Sequence, residues 1–442
     1  MEFQGKHVVV IGTKRSGIAA IELLLGEGAH VTAMDADPQP IPGLSIPVVA
    51  QKPELLGDPD LIVVSPAVPT DLPMLNEARM EGVPVIGEVE LASYYLKGPA
   101  LGITGSNGKT TTTALTGHLL RECGVPCQVG GNIGTAVTSL IATSREEQWN
   151  VLELSSFQLE TTHHFQAKLG ACLNVTPDHL DRHHTFEGYA AAKRRLFETQ
   201  APDGAAVLNF DDPVCRSFAE KANAQVHWFS ATQPVSRGMF LAGEDLVCDG
   251  RSILKRSDIR LRGTHNVENV LAATLVALLA GADPDKIPEA VRSFPGVEHR
   301  LEFVRSLHGV QYFNDSKATN VDAALKAVAA FNRNLWIILG GKDKGSEYTP
   351  LREPLAKKGK AALLIGAEAP YPYAAAPIIE RELKGAVHLV PCGTLAAAVR
   401  YAHAHAKAGD TVLLAPACAS FDQFQNYEER GTAFKQLVAE LS

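Results

Sequence analysis

The sequence predicts an α/β protein of three segments, each built around a mostly parallel sheet. Short aliphatic or β-branched runs recur along the chain, each followed by an Ala/Leu-rich helical stretch. That alternation places helices on both faces of parallel sheets. A length of 442 residues gives about three domains at roughly 150 residues each. Gly and Pro interrupt the alternation at two joints, residues 93–99 and 293–297, which divide the chain into 1–97, 98–297 and 298–442. The expected strands are 8–11, 61–64, 101–104, 151–154, one around Leu208, 335–339, 362–365 and 411–415.

Composition narrows the function classes. Hydrophobic residues are 45% and charged residues 20%, so each segment can bury its own core. The balance of 41 Lys+Arg against 49 Asp+Glu leaves −8, the wrong sign for a broad nucleic-acid surface, while small anions can still be held by local cations. The seven cysteines form no CxxC pair, which speaks against both a zinc site and a disulfide framework and suits a reducing compartment. No signal-peptide pattern is present. The longest apolar helical stretch, about residues 270–282, is shorter than the roughly 18 to 20 residues a bilayer span needs. A cytoplasmic, soluble, monomeric protein with small-molecule partners is expected, without nucleic acid or membrane.

The first strand runs into Gly12-Thr-Lys-Arg-Ser-Gly17, and Asp35 ends the second strand. This is the place of a Rossmann-like turn, but a dinucleotide fingerprint requires glycine where Lys14 stands. A helix N-terminus carrying Lys14, Arg15 and Ser16 is instead suited to the phosphates of a nucleoside diphosphate, with Ser65 on the same sheet edge. A capped helix without a ligand is the alternative.

The third expected strand opens into Thr104-Gly105-Ser106-Asn107-Gly108-Lys109-Thr110-Thr111. A glycine turn between strand and helix presents backbone N–H groups to phosphates, Lys109 neutralises charge, and the Thr110 hydroxyl can reach Mg²⁺. Ile103 stands where strict spacing demands glycine, so this is a compressed variant of an ATP-binding P-loop. Glu153, at a later strand end, offers the oxygen donor that a hard cation prefers. The loop Asn174-Val-Thr-Pro-Asp-His179-Leu-Asp-Arg-His-His184 lacks zinc-type spacing, so one histidine serving a magnesium or substrate site is expected.

Four further strings follow in order: Gly263-Thr-His-Asn266-Val-Glu-Asn269, His299-Arg300-Leu-Glu302, Asn314-Asp-Ser-Lys317-Ala-Thr319-Asn320, and Pro416-Ala-Cys-Ala-Ser420-Phe-Asp-Gln-Phe424-Gln-Asn-Tyr427-Glu-Glu-Arg430-Gly431. With these the sequence resembles the Mur ligases, the ATP-dependent amide-forming family of bacterial cell-wall synthesis, across all three segments. Gly87-Glu-Val-Glu-Leu91 and Leu154-Ser-Ser-Phe-Gln-Leu159 are similar to the glutamate-adding branch.

The resemblance implies Rossmann-like outer segments around a central P-loop ATPase-like segment. It also implies the addition of D-glutamate to UDP-N-acetylmuramoyl-L-alanine through an acyl phosphate, in peptidoglycan precursor synthesis. Carried over residue by residue, Gly105 to Thr111 hold the ATP phosphates, and Asn269, Arg300 and Asp315 hold the rest of the nucleotide. Thr110, Glu153, His179 and a carbamylated Lys193 surround two Mg²⁺ sites, with Lys109 the catalytic cation. Asn132 joins the UDP-substrate cleft, and Lys317, Thr319, Lys344, Ser420 and Tyr427 surround the glutamate. Ala67 and Tyr427 depart from the family pattern, where glycine and phenylalanine are expected. A folylpolyglutamate synthase, a nicotinamide-dependent oxidoreductase and a nucleotide-sensing binding protein are the alternatives.

Overall fold

The computed structural model describes residues 2–261, 263, 265–343, 345–366 and 374–442. Three sheets run through the chain. The first comprises β1 (His7–Ile11), β2 (His30–Asp35), β3 (Val48–Ala50), β4 (Leu61–Val64) and β5 (Val85–Gly87), all parallel, in the order β3-β2-β1-β4-β5. The second comprises β6 (Ala100–Thr104), β7 (Cys127–Gly131), β8 (Trp149–Glu153), β9 (Leu169–Cys172), β10 (Ala205–Asn209), β11 (Gln225–Ser230), β12 (Gly238–Ala242), β13 (Asp245–Cys248) and β14 (Arg251–Lys255). Its order is β14-β13-β12-β11-β10-β9-β6-β8-β7. The third, β15 (Glu302–Leu307), β16 (Val310–Asn314), β17 (Leu335–Gly340), β18 (Gly359–Ile365), β19 (His388–Gly393) and β20 (Thr411–Leu414), is ordered β15-β16-β20-β17-β18-β19.

The runs expected from sequence are β1, β4, β6, β8, β10, β17, β18 and β20, with Leu154 falling just past the end of β8. In β4, β6, β10, β17 and β20 every residue is buried, as a strand covered on both faces requires. An antiparallel ribbon, β12 to β14, extends the edge of the second sheet. Its second turn is Asp249-Gly250, both at positive φ (46° and 84°), the geometry that joins twisted antiparallel strands in two residues. The other antiparallel strand is β15, an edge strand paired with β16.

The chain divides into two compact units, residues 1–260 with 265–294, and 261–264 with 295–442. Within the first unit the helix Glu88–Ser93, which follows β5, buries two carboxylates against the second sheet's surroundings. Glu88 accepts from the Thr138 backbone N–H at 2.6 Å and its hydroxyl at 2.9 Å. Glu90 accepts from three consecutive backbone N–H groups, His163, His164 and Phe165, at 2.8 to 3.0 Å. The joint at 93–99 is also tied down, the Asn150 amide donating to the Lys97 carbonyl at 2.7 Å. Among the described residues no helix is long and apolar enough to cross a membrane.

Candidate active site

The first sheet ends in a loop shaped by its own side chains. Gly12 lies at φ +90°, and a Cβ there would stand 2.8 Å from the Ser65 Cβ; at Gly17 it would stand 1.7 Å from the Gly12 carbonyl oxygen. Only glycine permits that approach. The Ser65 hydroxyl donates to the Gly12 carbonyl at 2.6 Å, and Asp35 accepts from the Thr13 N–H and hydroxyl at 2.7 and 2.8 Å. Burial raises the Asp35 pKa, but the N–H groups of Thr13 and Asp37 outweigh it and leave the carboxyl below its usual range. Asp35 and Ser65 thus fasten the loop. Lys14 and Arg15 are exposed, Ser16 is half-buried at the helix start, and the Arg15 guanidinium donates to the Gly134 carbonyl at 2.7 Å.

At the carboxyl edge of the second sheet, β6 passes through Gly105 (φ +152°), Ser106, Asn107 and Gly108 (φ +86°) into the helix Lys109–Glu122, whose first turn holds Thr110 and Thr111, both buried. A Cβ on Gly108 would stand 2.3 Å from the Asn269 Oδ1, so the helix His265–Leu279 seats Asn269 directly beneath the turn. Asn174 braces the other side, its side-chain oxygen accepting from Asn107 N–H and its carbonyl from Ser106 N–H, each at 2.8 Å.

Two lysines converge on this loop. The Lys109 ammonium donates to the carbonyls of Gly105 (2.8 Å) and Ser106 (3.0 Å), and the Lys193 ammonium donates to the same Gly105 carbonyl at 2.9 Å. Lys193 is 1% exposed and lies 4.4 Å from the centre of the Tyr189 ring. Among the described residues no carboxylate pairs with it. Burial, and then the positive charge of Lys109, push its pKa down to about 7.

Glu153 ends β8, opposite Ile103 of β6 and Gly131 of β7. One oxygen accepts from the Asn132 amide at 2.8 Å; the other is buried without a hydrogen-bond partner. Glu153 thus ends its strand level with the residue that leads into the phosphate loop, and a buried, bare carboxylate oxygen together with the Thr110 hydroxyl in the first turn of the following helix is the kind of oxygen donor a hard divalent cation takes, so these residues fit magnesium. His179 precedes the helix Leu180–His183 at φ +51°, its half-exposed ring edge-on to Phe157 at 4.8 Å and 6.3 Å from Tyr189. Tyr189 in turn places its hydroxyl 3.0 Å from the Ser106 hydroxyl. Among the described residues no three His, Cys, Asp or Glu side chains form a metal-binding cluster.

Two supports of this site carry no distinct signal in the sequence. His183 lies 3.0 Å from the Ser156 hydroxyl, and burial, then Arg182 and other nearby positive charges, push its pKa down to about 4. Tyr189 contacts both Lys193 and Ser106. Neither stands out in sequence: a Tyr on an Ala-rich helix looks like core, and three histidines in one loop look interchangeable.

In the second unit, Asp315 lies just past β16 and accepts from the Leu301 N–H at 3.2 Å; burial lifts its pKa to about 6 against the opposing pull of Arg300, the Leu301 N–H and Lys317. The Nε of Arg300 is buried without a partner. The Lys317 ammonium stands 5.5 Å from the Tyr427 ring centre, Thr319 is half-buried two residues on, and Ser420 is buried where its carbonyl accepts from Gln423 and Phe424 N–H. Lys344 lies outside the described residues. A third residue with no distinct signal in the sequence is Arg430, fully buried on the helix Tyr427–Ala439.

Three family profiles match along the chain: a Mur ligase MurD-like N-terminal domain over residues 6–87, the Mur ligase middle domain over 103–277, and the Mur ligase glutamate ligase domain over 299–418. The chain is 58% identical to a UDP-N-acetylmuramoylalanine–D-glutamate ligase of Solibacter usitatus, covering 99% of this chain and 98% of that one. Ligases of the same name from Acidobacterium capsulatum (50% identical, 99% of this chain and 97% of that one) and Koribacter versatilis (47%, 100% and 99%) are also similar. The fold is similar to that of the UDP-N-acetylmuramate–alanine ligase MurC of Thermotoga maritima, with a TM-score of 0.62 at 18% identity over 98% of this chain and 99% of that one. It is also similar to the MurF ligase of Thermotoga maritima solved with ADP (0.61, 17% identity, 99% and 96%). A compressed phosphate loop with two lysines on one carbonyl, a bare carboxylate oxygen beside it, and profile matches in all three parts of the chain agree, and the chain belongs to the Mur ligase family.

Proposed function

We propose that the protein joins D-glutamate to UDP-N-acetylmuramoyl-L-alanine with hydrolysis of ATP to ADP and phosphate, acting in the cytoplasm as a monomer. The observation that carries this is 58% identity, over nearly the whole of both chains, to a ligase named for that reaction. Residues 1–97 bind the UDP substrate, 98–297 bind ATP, and 298–442 bind glutamate.

A carboxylate does not acylate an amine in water because oxide is a poor leaving group. The alanyl carboxylate oxygen therefore attacks the γ-phosphorus of ATP, the bond to the β-phosphate oxygen breaks, and ADP leaves. Lys109, anchored on the loop that cradles the phosphates, balances charge developing on the transferred group. The neutral amine of glutamate then attacks the acyl carbon; its proton is lost to solvent or base and inorganic phosphate departs. Magnesium, when bound, neutralises phosphate charge as a Lewis acid; Thr110, the bare oxygen of Glu153, His179 and a carbamate on Lys193 would hold it. Lys193 suits that modification because an amine with its pKa near 7 is substantially neutral at physiological pH, and only the neutral amine adds CO₂.

Lys14, Arg15 and Ser16 face the substrate diphosphate, Asp35 and Ser65 hold their loop in shape, and Asn132 aligns Glu153. Asn269, Arg300 and Asp315 hold the nucleotide. Lys317, Thr319, Lys344, Ser420 and Tyr427 receive a substrate that carries two carboxylates. The test is phosphate release with ATP, Mg²⁺, UDP-N-acetylmuramoyl-L-alanine and each of several amino acids. Release that depends on D-glutamate is expected; equal release with every amino acid, or with none, overturns the assignment.

A further inference from the structure

We propose that Arg430 is a positioning residue of the amino-acid pocket, a buried cation kept charged for the carboxylates of the incoming substrate rather than for the stability of the fold. The inference rests on the assignment of glutamate to this unit and adds a residue to it.

Arg430 is 1% exposed and enters between two loops at the carboxyl edge of the third sheet. Its Nε donates to the Ser316 hydroxyl at 3.0 Å, and one terminal nitrogen donates to the Ser316 carbonyl (3.0 Å) and the Cys418 carbonyl (3.2 Å). The other terminal nitrogen is buried with no partner. The Ser316 hydroxyl itself donates to the Tyr427 carbonyl at 2.8 Å, and the Ala417 N–H donates to the Ala318 carbonyl at 2.9 Å. The guanidinium thus sits where the loop of Lys317 and Thr319 meets the loop of Ser420.

Every hydrogen bond it makes goes to a neutral oxygen, and among the described residues no carboxylate forms an ion pair with it. A buried charge with neutral partners and a bare N–H is costly, because the desolvation of that donor is repaid by no bond and the cost is larger for a charged group than for a neutral one. A well-packed apolar side chain would serve the fold at least as well. Burial pushes its pKa down to about 10, against the opposing influence of Cys418 and Asp422, so the group is still a cation at neutral pH. Folding has therefore kept a positive charge that the protein's own acids do not neutralise by contact. The substrate assigned to these loops is a dianion, and its carboxylates supply the missing negative charge in a region of low dielectric, where charge pairs act strongly.

The experiment compares wild type, R430M, which keeps bulk without charge, and R430K, which restores charge without the fork. The measurements are KM for D-glutamate, ATP and UDP-N-acetylmuramoyl-L-alanine, together with Tm. Wild type lacking D-glutamate-dependent phosphate release would defeat the assignment itself. Given that activity, R430M is expected to raise the glutamate KM at least about tenfold with the other two within about twofold, R430K to recover most of the loss, and the Tm of R430M to hold or rise. An unchanged glutamate KM in R430M, or equal defects in R430M and R430K, overturns the inference. Should R430M fail to fold, R430Q against R430K makes the same comparison with the same two outcomes.

Discussion

Two fully buried cations sit at the carboxyl edges of two different sheets, and they differ in the one property that decides their use. Lys193, beside the phosphate loop of the first unit, rests on a carbonyl and a Tyr ring. Arg430, in the second unit, rests on a hydroxyl and two carbonyls. Neither has a carboxylate partner among the described residues. Burial brings the amine to about 7, where it gives up its proton and becomes a nucleophile; the same burial leaves the guanidinium near 10 and still charged. One desolvated site makes a reactive group, the other stores a field, and the choice between Lys and Arg decides which.

The largest expected effect comes from removing that choice at position 193. K193A and K193R are both expected to lose activity by about a hundred- to a thousandfold, the magnitude seen when a transition-state electrostatic element is removed. A small carboxylate in the buffer should partly restore K193A by filling the space of the carbamate. Activity in K193R close to wild type would show that a permanent cation suffices, and the contrast with Arg430 would collapse.

Next is N132A. Its side chain holds one oxygen of Glu153 while the other stays bare, so its loss should raise the Mg²⁺ concentration for half-maximal activity on the order of 10- to 100-fold, the usual scale for a residue that orients a metal ligand. Mn²⁺ binding followed by electron paramagnetic resonance gives a readout independent of turnover. No change in either quantity would mean that Glu153 is aligned without Asn132.

A third test uses pH. The folded pKa of Lys193, about 7, lies below its ordinary 10.5, so between these values the unfolded chain holds the extra proton. In CO₂-free buffer, wild-type stability relative to K193M should therefore rise with pH from about 7 to 10.5 and be flat below 7. In the presence of bicarbonate, mass spectrometry should find the CO₂ adduct on Lys193 declining as pH falls through 7. An adduct independent of pH over this range would contradict a titrating amine.

The smallest effect concerns scaffold rather than chemistry. E90A leaves three consecutive backbone N–H groups without their acceptor, and a loss of about 2–4 kcal/mol in unfolding free energy is expected by urea denaturation. A loss under 1 kcal/mol would show that water replaces the carboxylate.

The strands β1, β4, β6, β8, β10, β17, β18 and β20 were legible because buried parallel strands are apolar runs, and the phosphate loop because glycine, lysine and threonine at that spacing have few other uses; the shorter or less apolar strands, such as β3 and β7, carry no comparable run. Tyr189, His183 and Arg430 were not legible, since each gains its function from a neighbour distant in sequence: Ser106, Ser156 and Ser316. Asp35 was legible as a strand-end acid, but its engagement with Thr13 depends on a loop path that spacing does not specify. The antiparallel ribbon from β12 to β14 is not legible because its signal is a two-residue Asp-Gly turn inside a region of weak alternation.

The helix Glu88–Ser93 has a consequence for how the chain comes into being. Its acids complete the main-chain hydrogen bonding of segments that follow it by fifty to seventy-five residues, at Thr138 and at His163 to Phe165. A ribosome that has released only the first sheet and the helix after it has made two acidic side chains still waiting for their amides, and a fragment starting after that helix carries amides with no acid to meet them. Residues 1–294 should therefore melt in one calorimetric transition, and residues 98–294 should resist expression without the segment that precedes them.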